Sequence, residues 1–157
     1  MEDVLLKIEK AVLLGLLVLL LVWIGKESSQ KADFSELAAA VTAEMDLSQM
    51  QQGDAQLLRR LYGLNGSELR HWLLYTSTDN MDVEELLLVE CMTEEQADQA
   101  AQAATKRAEV QKDNFEGYGP EQVHLIEKSV LLERDTYLLF VISDQAEEVK
   151  DSFQKTF

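Results

Sequence analysis

Between Ala11 and Ile24 the chain runs through 14 residues without a charge or a proline. A helix on a small water-exposed domain carries one apolar stripe. This run is apolar all the way round, as a helix surrounded by lipid must be. Alone it rises only roughly 21 Å, short of a bilayer core. Val4, Leu5, Leu6 and Ile8 extend it upstream, and the stretch from Val4 to Ile24 rises roughly 31 Å, enough to span. Lys7 and Lys10 fall inside that range, where aliphatic stems carry the ammonium groups to the lipid headgroups. Trp23 stands near the far end, where aromatic side chains favour the interface.

A cleaved signal peptide would need small residues three positions and one position before the cut. The sequence Gly-Lys-Glu-Ser-Ser-Gln-Lys-Ala over residues 25–32 offers no such pair, and it holds no cysteine to bear a lipid. The expectation is an uncleaved transmembrane anchor over residues 1–25, a polar stalk over 26–32 and one domain over 33–157. Lysines flank the anchor almost evenly, Lys7 and Lys10 against Lys26 and Lys31. The short N-terminal tail holds no domain, so the expected orientation puts the tail inside and the domain outside the cytoplasm, as in a single-pass protein of the cell membrane.

The chain carries 14 basic and 29 acidic residues. With the two lysines and three acids of the first 25 residues set aside, the remainder carries a net charge of about −14. Nucleic acid and anionic lipid headgroups both demand a basic surface, so neither is an expected ligand of the domain. Cys91 is the single cysteine. It excludes an internal disulfide, and its place in an apolar run marks it as a small buried hydrophobe.

Periodicity supplies the elements. Asp33 is a candidate N-cap with Glu36 three residues on, followed by Phe34, Leu37, Ala38, Val41 and Met45 at helical spacing. Gln51 to Asp54 reads as a turn, Ala55 to Tyr62 as a helix stopped by Gly63, and Asn65-Gly66 as another turn. Leu69 to Ser77 and Val83 to Met92 read as strands. The second is too continuously apolar to be half exposed, and so is central. Thr93 caps a long helix to Phe115, with Ala97, Ala100, Ala101, Ala104 and Ala108 on its inner face. Gly117 and Gly119 end it, and Pro120 starts a short helix with Val123, Leu125 and Ile126. Ser129 to Arg134 and Thr136 to Ser143 form a hairpin turning near Arg134-Asp135, and Asp144 to Phe157 closes as an amphipathic helix. The expected fold is α+β: an antiparallel sheet of about four strands covered on one face by helices. Leu86 to Val89 and Leu138 to Ile142 should be central neighbours, with the alanine face of the long helix lying on both.

These landmarks carry a resemblance. Tyr62-Gly63-Leu64 follows a short helix, and an apolar strand precedes an acidic, alanine-rich helix. Gln111, Phe115, Tyr118 and Pro120 stand in Gln-Lys-Asp-Asn-Phe-Glu-Gly-Tyr-Gly-Pro-Glu-Gln, and Tyr137 to Ser143 precedes an acidic helix. Together they resemble the bacterial family catalogued as domain of unknown function 4358, over about residues 33–157. The resemblance implies an envelope location, as a secreted lipoprotein or single-anchor protein, and it implies a fold. This chain lacks the lipid-bearing cysteine of the lipoprotein members. No activity and no functional residue transfer with the resemblance.

The residues offer little chemistry. His71 and His124 are the only histidines and lie far apart, so no metal set and no cofactor is expected. Ser67 in Gly66-Ser67-Glu68 lacks the Gly-x-Ser-x-Gly elbow. The acids of Asp79-Asn-Met-Asp-Val-Glu-Glu85 lack the glycine and spacing of a calcium loop and read as a solvated turn. The segment from Phe115 to Pro120 is the candidate partner contact: Phe115 plugs the core, Pro120 sets the corner, and Tyr118 either packs over the turn or meets a partner. The expected function is a membrane-anchored, extracytoplasmic interaction or accessory module of the cell envelope, held to the lipid bilayer through Val4 to Ile24 and meeting an envelope protein. The alternative is an envelope enzyme with a site built from scattered acids and tyrosines. A cavity with convergent carboxylates of strongly perturbed pKa would favour the enzyme, and a smooth acidic surface without a cavity would favour the module.

Overall fold

The structure, a computed structural model, describes Gly15 and residues 32–157. Apart from Gly15, the expected anchor and the stalk up to Lys31 lie outside the described residues. Among the described residues no helix is long and apolar enough to cross a membrane. Ala32 to Phe157 forms one unit with its own cores.

Three of its α-helices begin where a side chain satisfies the first free amides. Asp33 accepts from the Ser35 and Glu36 amides at the start of α1 (Phe34–Ala43). A single 3-10 turn, Leu47–Gln49, leads into β1 (Met50–Gln52). Asp54 caps α2 (Ala55–Tyr62), which ends at Gly63 with φ +70°, a left-handed conformation that glycine adopts without cost. After a second 3-10 turn, Gly66–Glu68, come β2 (His71–Ser77) and β3 (Glu85–Glu90). Thr93 caps α3 (Glu94–Phe115), and Pro120 opens α4 (Pro120–Glu127). The hairpin β4 (Val130–Arg134) and β5 (Tyr137–Ile142) turns through Asp135, and α5 (Ala146–Thr156) closes the chain.

The five strands make one antiparallel sheet in the order β1-β2-β3-β5-β4. The expectation of about four strands is corrected by β1. Met50 to Gln52, within and just before the stretch read as a turn, pair with Tyr75 to Ser77 of β2. Nothing in Met-Gln-Gln signals a strand, and the pairing forms because the edge of β2 offers free amides and carbonyls. Strands β3 and β5 are central neighbours, with Leu86 opposite Val141 and Leu88 opposite Leu139.

Coverage on one face is also corrected, because helices cover both. On one face Leu74, Leu87, Val89, Leu138, Phe140 and Ile142 pack with α2, α3 and α4. On the other, Leu86, Leu88, Tyr137, Leu139 and Val141 pack with Leu37 and Val41 of α1 and Val149 and Phe153 of α5. Every residue of β3 and β5 is buried. That burial is what consecutive apolar residues need in a strand whose side chains alternate between faces. The alanine face of α3 lies nearest β5 and β4, not centred on β3 and β5 as expected. Ala97, Ala100, Ala101 and Ala104 are buried there. Small side chains let the helix axis approach the sheet, so its longer residues reach the strands beyond.

Candidate functional site

The apolar strand β3 begins and ends with a glutamate, and both are buried. Successive side chains alternate, so Glu85 joins Leu87 and Val89 on the α3 face, while Glu90 joins Leu86 and Leu88 on the α1 face. A buried carboxylate must be paired and hydrogen-bonded. For Glu85 the partner is Arg107 of α3. Its Nη2 donates to Oε2 at 2.7 Å, and its Nε donates to Oε1 and Oε2 at 3.1 and 3.2 Å. The Tyr62 hydroxyl, from the last residue of α2, donates to Oε1. Burial and the Glu85 charge raise the Tyr62 phenol well above its ordinary range. Burial alone would lower the Arg107 pKa, but the hydrogen bonds and charge of Glu85 raise it above the ordinary value.

At the other end of β3, Glu90 accepts from His71 Nδ1 at 2.8 Å and faces Arg70 Nε at 3.3 Å. The His71 ring stacks on Phe34 at 5.2 Å between centroids. Beside them the Tyr137 hydroxyl donates to the Ala32 carbonyl at 2.7 Å. Burial and then the Glu90 charge push the Tyr137 phenol up to about 12. This cluster ties the first residues of the described unit to the sheet.

Above Glu85 opens a cavity of about 220 Å³ between α2, α3 and the β2–β3 loop. Arg60, Asp79, Asp82, Glu84, Arg107 and Gln111 line it. The reading of Asp79 to Glu85 as a solvated turn holds for its first residues and is corrected at its end. Glu85 is the first residue of β3 and only 1% exposed. Glu84 is partly buried, and desolvation raises its carboxyl above the ordinary value against the lowering effect of the Ser143 hydroxyl that bonds it. Within the loop, Asp79 accepts from the Met81 amide, and Asp82 from the amides of Val83 and Glu84.

The expected partner contact stands at the corner between α3 and α4. Phe115 is buried, Pro120 is exposed, and Tyr118 is 61% exposed, its ring 5.5 Å from that of Phe115. Gly117 takes φ +90°, and a Cβ on Gly119 would sit 2.8 Å from the Phe115 ring, so the corner needs both glycines. Phe115 also lines the cavity above Glu85, whereas Tyr118 does not. His124 is exposed on α4, and Cys91 is fully buried, its thiol pushed up to about 11 by desolvation first and by the neighbouring charges of Glu133 and Glu90. Among the described residues no group of three or more His, Cys, Asp or Glu is arranged to hold a metal ion.

The buried clusters escaped the sequence reading, though a signal existed. Ala104, Arg107 and Gln111 continue one another at helical spacing, so two polar residues occupy core-facing positions of α3. A glutamate at each end of an otherwise apolar central strand is the complementary sign.

A family model described as Domain of unknown function (DUF4358) matches residues 43–143. No curated protein and no solved structure matches this chain.

Proposed function

The chain belongs to the DUF4358 family, and from that premise we propose that it is an extracytoplasmic interaction or accessory module of the bacterial cell envelope, held to the lipid bilayer by Val4 to Ile24. The observation that carries this reading is Tyr118. Its large ring stands mostly in solvent, supported from beneath by Phe115 and placed by two glycines and Pro120. A rigid exposed tyrosine offers contact area with little entropy to lose, which is the property of a binding anchor. The two buried carboxylates support the same reading. Both oxygens of Glu85 accept from Arg107, and Oε1 also from Tyr62, so the group braces three elements. The apolar run from Ala11 to Ile24 supports the membrane location.

The alternative, an envelope enzyme, draws on the cavity above Glu85 and the raised carboxyl of Glu84. The two readings separate at position 118. A photo-crosslinking amino acid placed there in the living host should give one discrete adduct with an envelope protein, lost on Pro120→Ala. A crosslinking pattern no different from that of an equally exposed position such as 92 would overturn the module.

A further inference from the structure

We propose that the groove along α4, beginning at the Tyr118 corner, binds a cationic segment of a partner protein, which seats an apolar side chain in the groove and lays an arginine against the Tyr118 ring. The inference rests on the reading of Tyr118 as a partner contact and gives that partner its chemistry. The groove, of about 450 Å³, begins at Glu116 and Gly117 and continues along Pro120, Val123, His124 and Glu127 of α4. These four helical positions recur at intervals of three and four, so they share one face of α4. Ile126, on another face, packs into the core. Gly117, Pro120 and Val123 give the groove an apolar part, and Pro120 is exposed there. Tyr118 stands in the chain between Gly117 and Pro120, at the end of the groove. An apolar groove ended by a rigid exposed tyrosine suits a protein side chain, which gains burial in one and contact area on the other.

Charge complementarity selects the occupant. Lys112 Nζ donates to Glu127 at 2.6 Å. That bond first, and then the charges of Glu116 and Asp113, raise the Lys112 pKa above its ordinary value. One ammonium is thus shared by three carboxylates, two of which line the groove. Lys128 lines a different cavity, with Asp144 and Glu147. The rim carries an excess of negative charge, so it attracts a cation and repels a second copy of this acidic chain. Arginine fits better than lysine, because its planar guanidinium stacks on an aromatic ring and pairs with a carboxylate at once. Tyr118 supplies the ring, and Glu116, two residues earlier, supplies the carboxylate.

The isotope-labelled full-length chain, kept in mild detergent, is titrated with short blocked peptides while the Tyr118 ring and Val123 methyl signals are followed by NMR. The probes carry a leucine and an arginine a few residues apart in a glycine-serine background. Controls replace the arginine with glutamine or glutamate, or the leucine with serine, and an N-acetylglucosamine tetramer tests for a glycan. The leucine-arginine peptides should shift both sets of signals. Glutamine for arginine should weaken binding about tenfold, the combined size of an exposed cation–π contact and an exposed ion pair. Glutamate should weaken it further, and serine for leucine should release the Val123 signals. Glu116→Lys and Tyr118→Ser alter exposed side chains, and each should weaken the arginine peptides without changing the unfolding curve. In the host, Glu116→Lys should also abolish the adduct formed by a photo-crosslinker at position 118. An adduct that survives this charge reversal leaves the partner contact standing and overturns the cationic occupant, whereas no adduct even without the reversal removes the reading beneath it. Equal response to the glutamate peptide, no response to any peptide at millimolar concentration, binding of the glycan alone, or shifts caused by protein concentration alone also overturns the proposal.

Discussion

Glu85 and Arg107 show how one residue commits its neighbours. A carboxylate that is 1% exposed is tolerable only with its cation in place. Arg107→Met should destabilise the unit by about 3–5 kcal/mol, because it leaves the charge buried and unpaired. Adding Glu85→Leu should recover much of that loss, since an apolar pair of similar volume needs no compensation. Denaturant unfolding of wild type, single and double variants measures both. If the double variant is as unstable as the single one, the pair is not the source of the loss. Glu84 is the opposite case. Desolvation raises its folded pKa above the ordinary 4.5, so the folded state holds the proton longer than the unfolded state. Its contribution to stability is therefore best below pH 4.5 and declines as pH rises through the raised value. Glu84→Gln keeps the acceptor for Ser143 and should raise the melting temperature at pH 7 but not at pH 4. Equal shifts at the two values would remove the ionisation argument.

At the scale of the element, α3 decides how the layers meet. Its buried alanines bring the helix axis close to the sheet, and the polar residues that continue the stripe, Arg107 and Gln111, reach Glu85 and the cavity. Ala104→Leu should overpack this contact and cost about 1–3 kcal/mol. Because the helix cannot approach as closely, the same change should loosen the Arg107–Glu85 fork. Arg107→Met should then cost less in the Ala104→Leu background than in wild type, which a double-mutant cycle reads directly. Strict additivity of the two changes would mean that helix approach and ion pair are independent.

For the whole molecule, the apolar segment and the described unit make separate predictions. A fragment from Ala32 onward contains both cores and the caps of every helix that has one, so it should unfold cooperatively by itself. A broad, non-cooperative transition would mean that its stability depends on residues before Ala32. The proposed topology places this unit outside the cytoplasm. Protease added to intact protoplasts that express the chain should cut it, and full protection until the membrane is opened would reverse the orientation.

The order of helices and strands was legible because local chemistry announces it. Asp33, Asp54 and Thr93 cap, Gly63 stops, Pro120 starts, and the runs of β3 and β5 are too apolar to be anything but central. Two buried faces followed from the same runs in principle, yet the reading missed the second. Its cover comes from α1 and α5, the first and last helices, and an amphipathic stripe says that a helix packs without saying on which face. Strand β1 was hidden because an edge strand of three polar or flexible residues takes its conformation from the neighbour it pairs with. The candidate site was hidden for a related reason. Tyr62 reads as an apolar residue of its helix, Glu85 as the end of an acidic turn and Arg107 as nothing in particular, and only the crossing of α2 and α3 over one end of β3 turns them into a buried cluster beneath a cavity. Local spacing determines elements because neighbouring side chains interact along the chain. Which charges meet is decided by packing that brings together residues 23 and 22 positions apart.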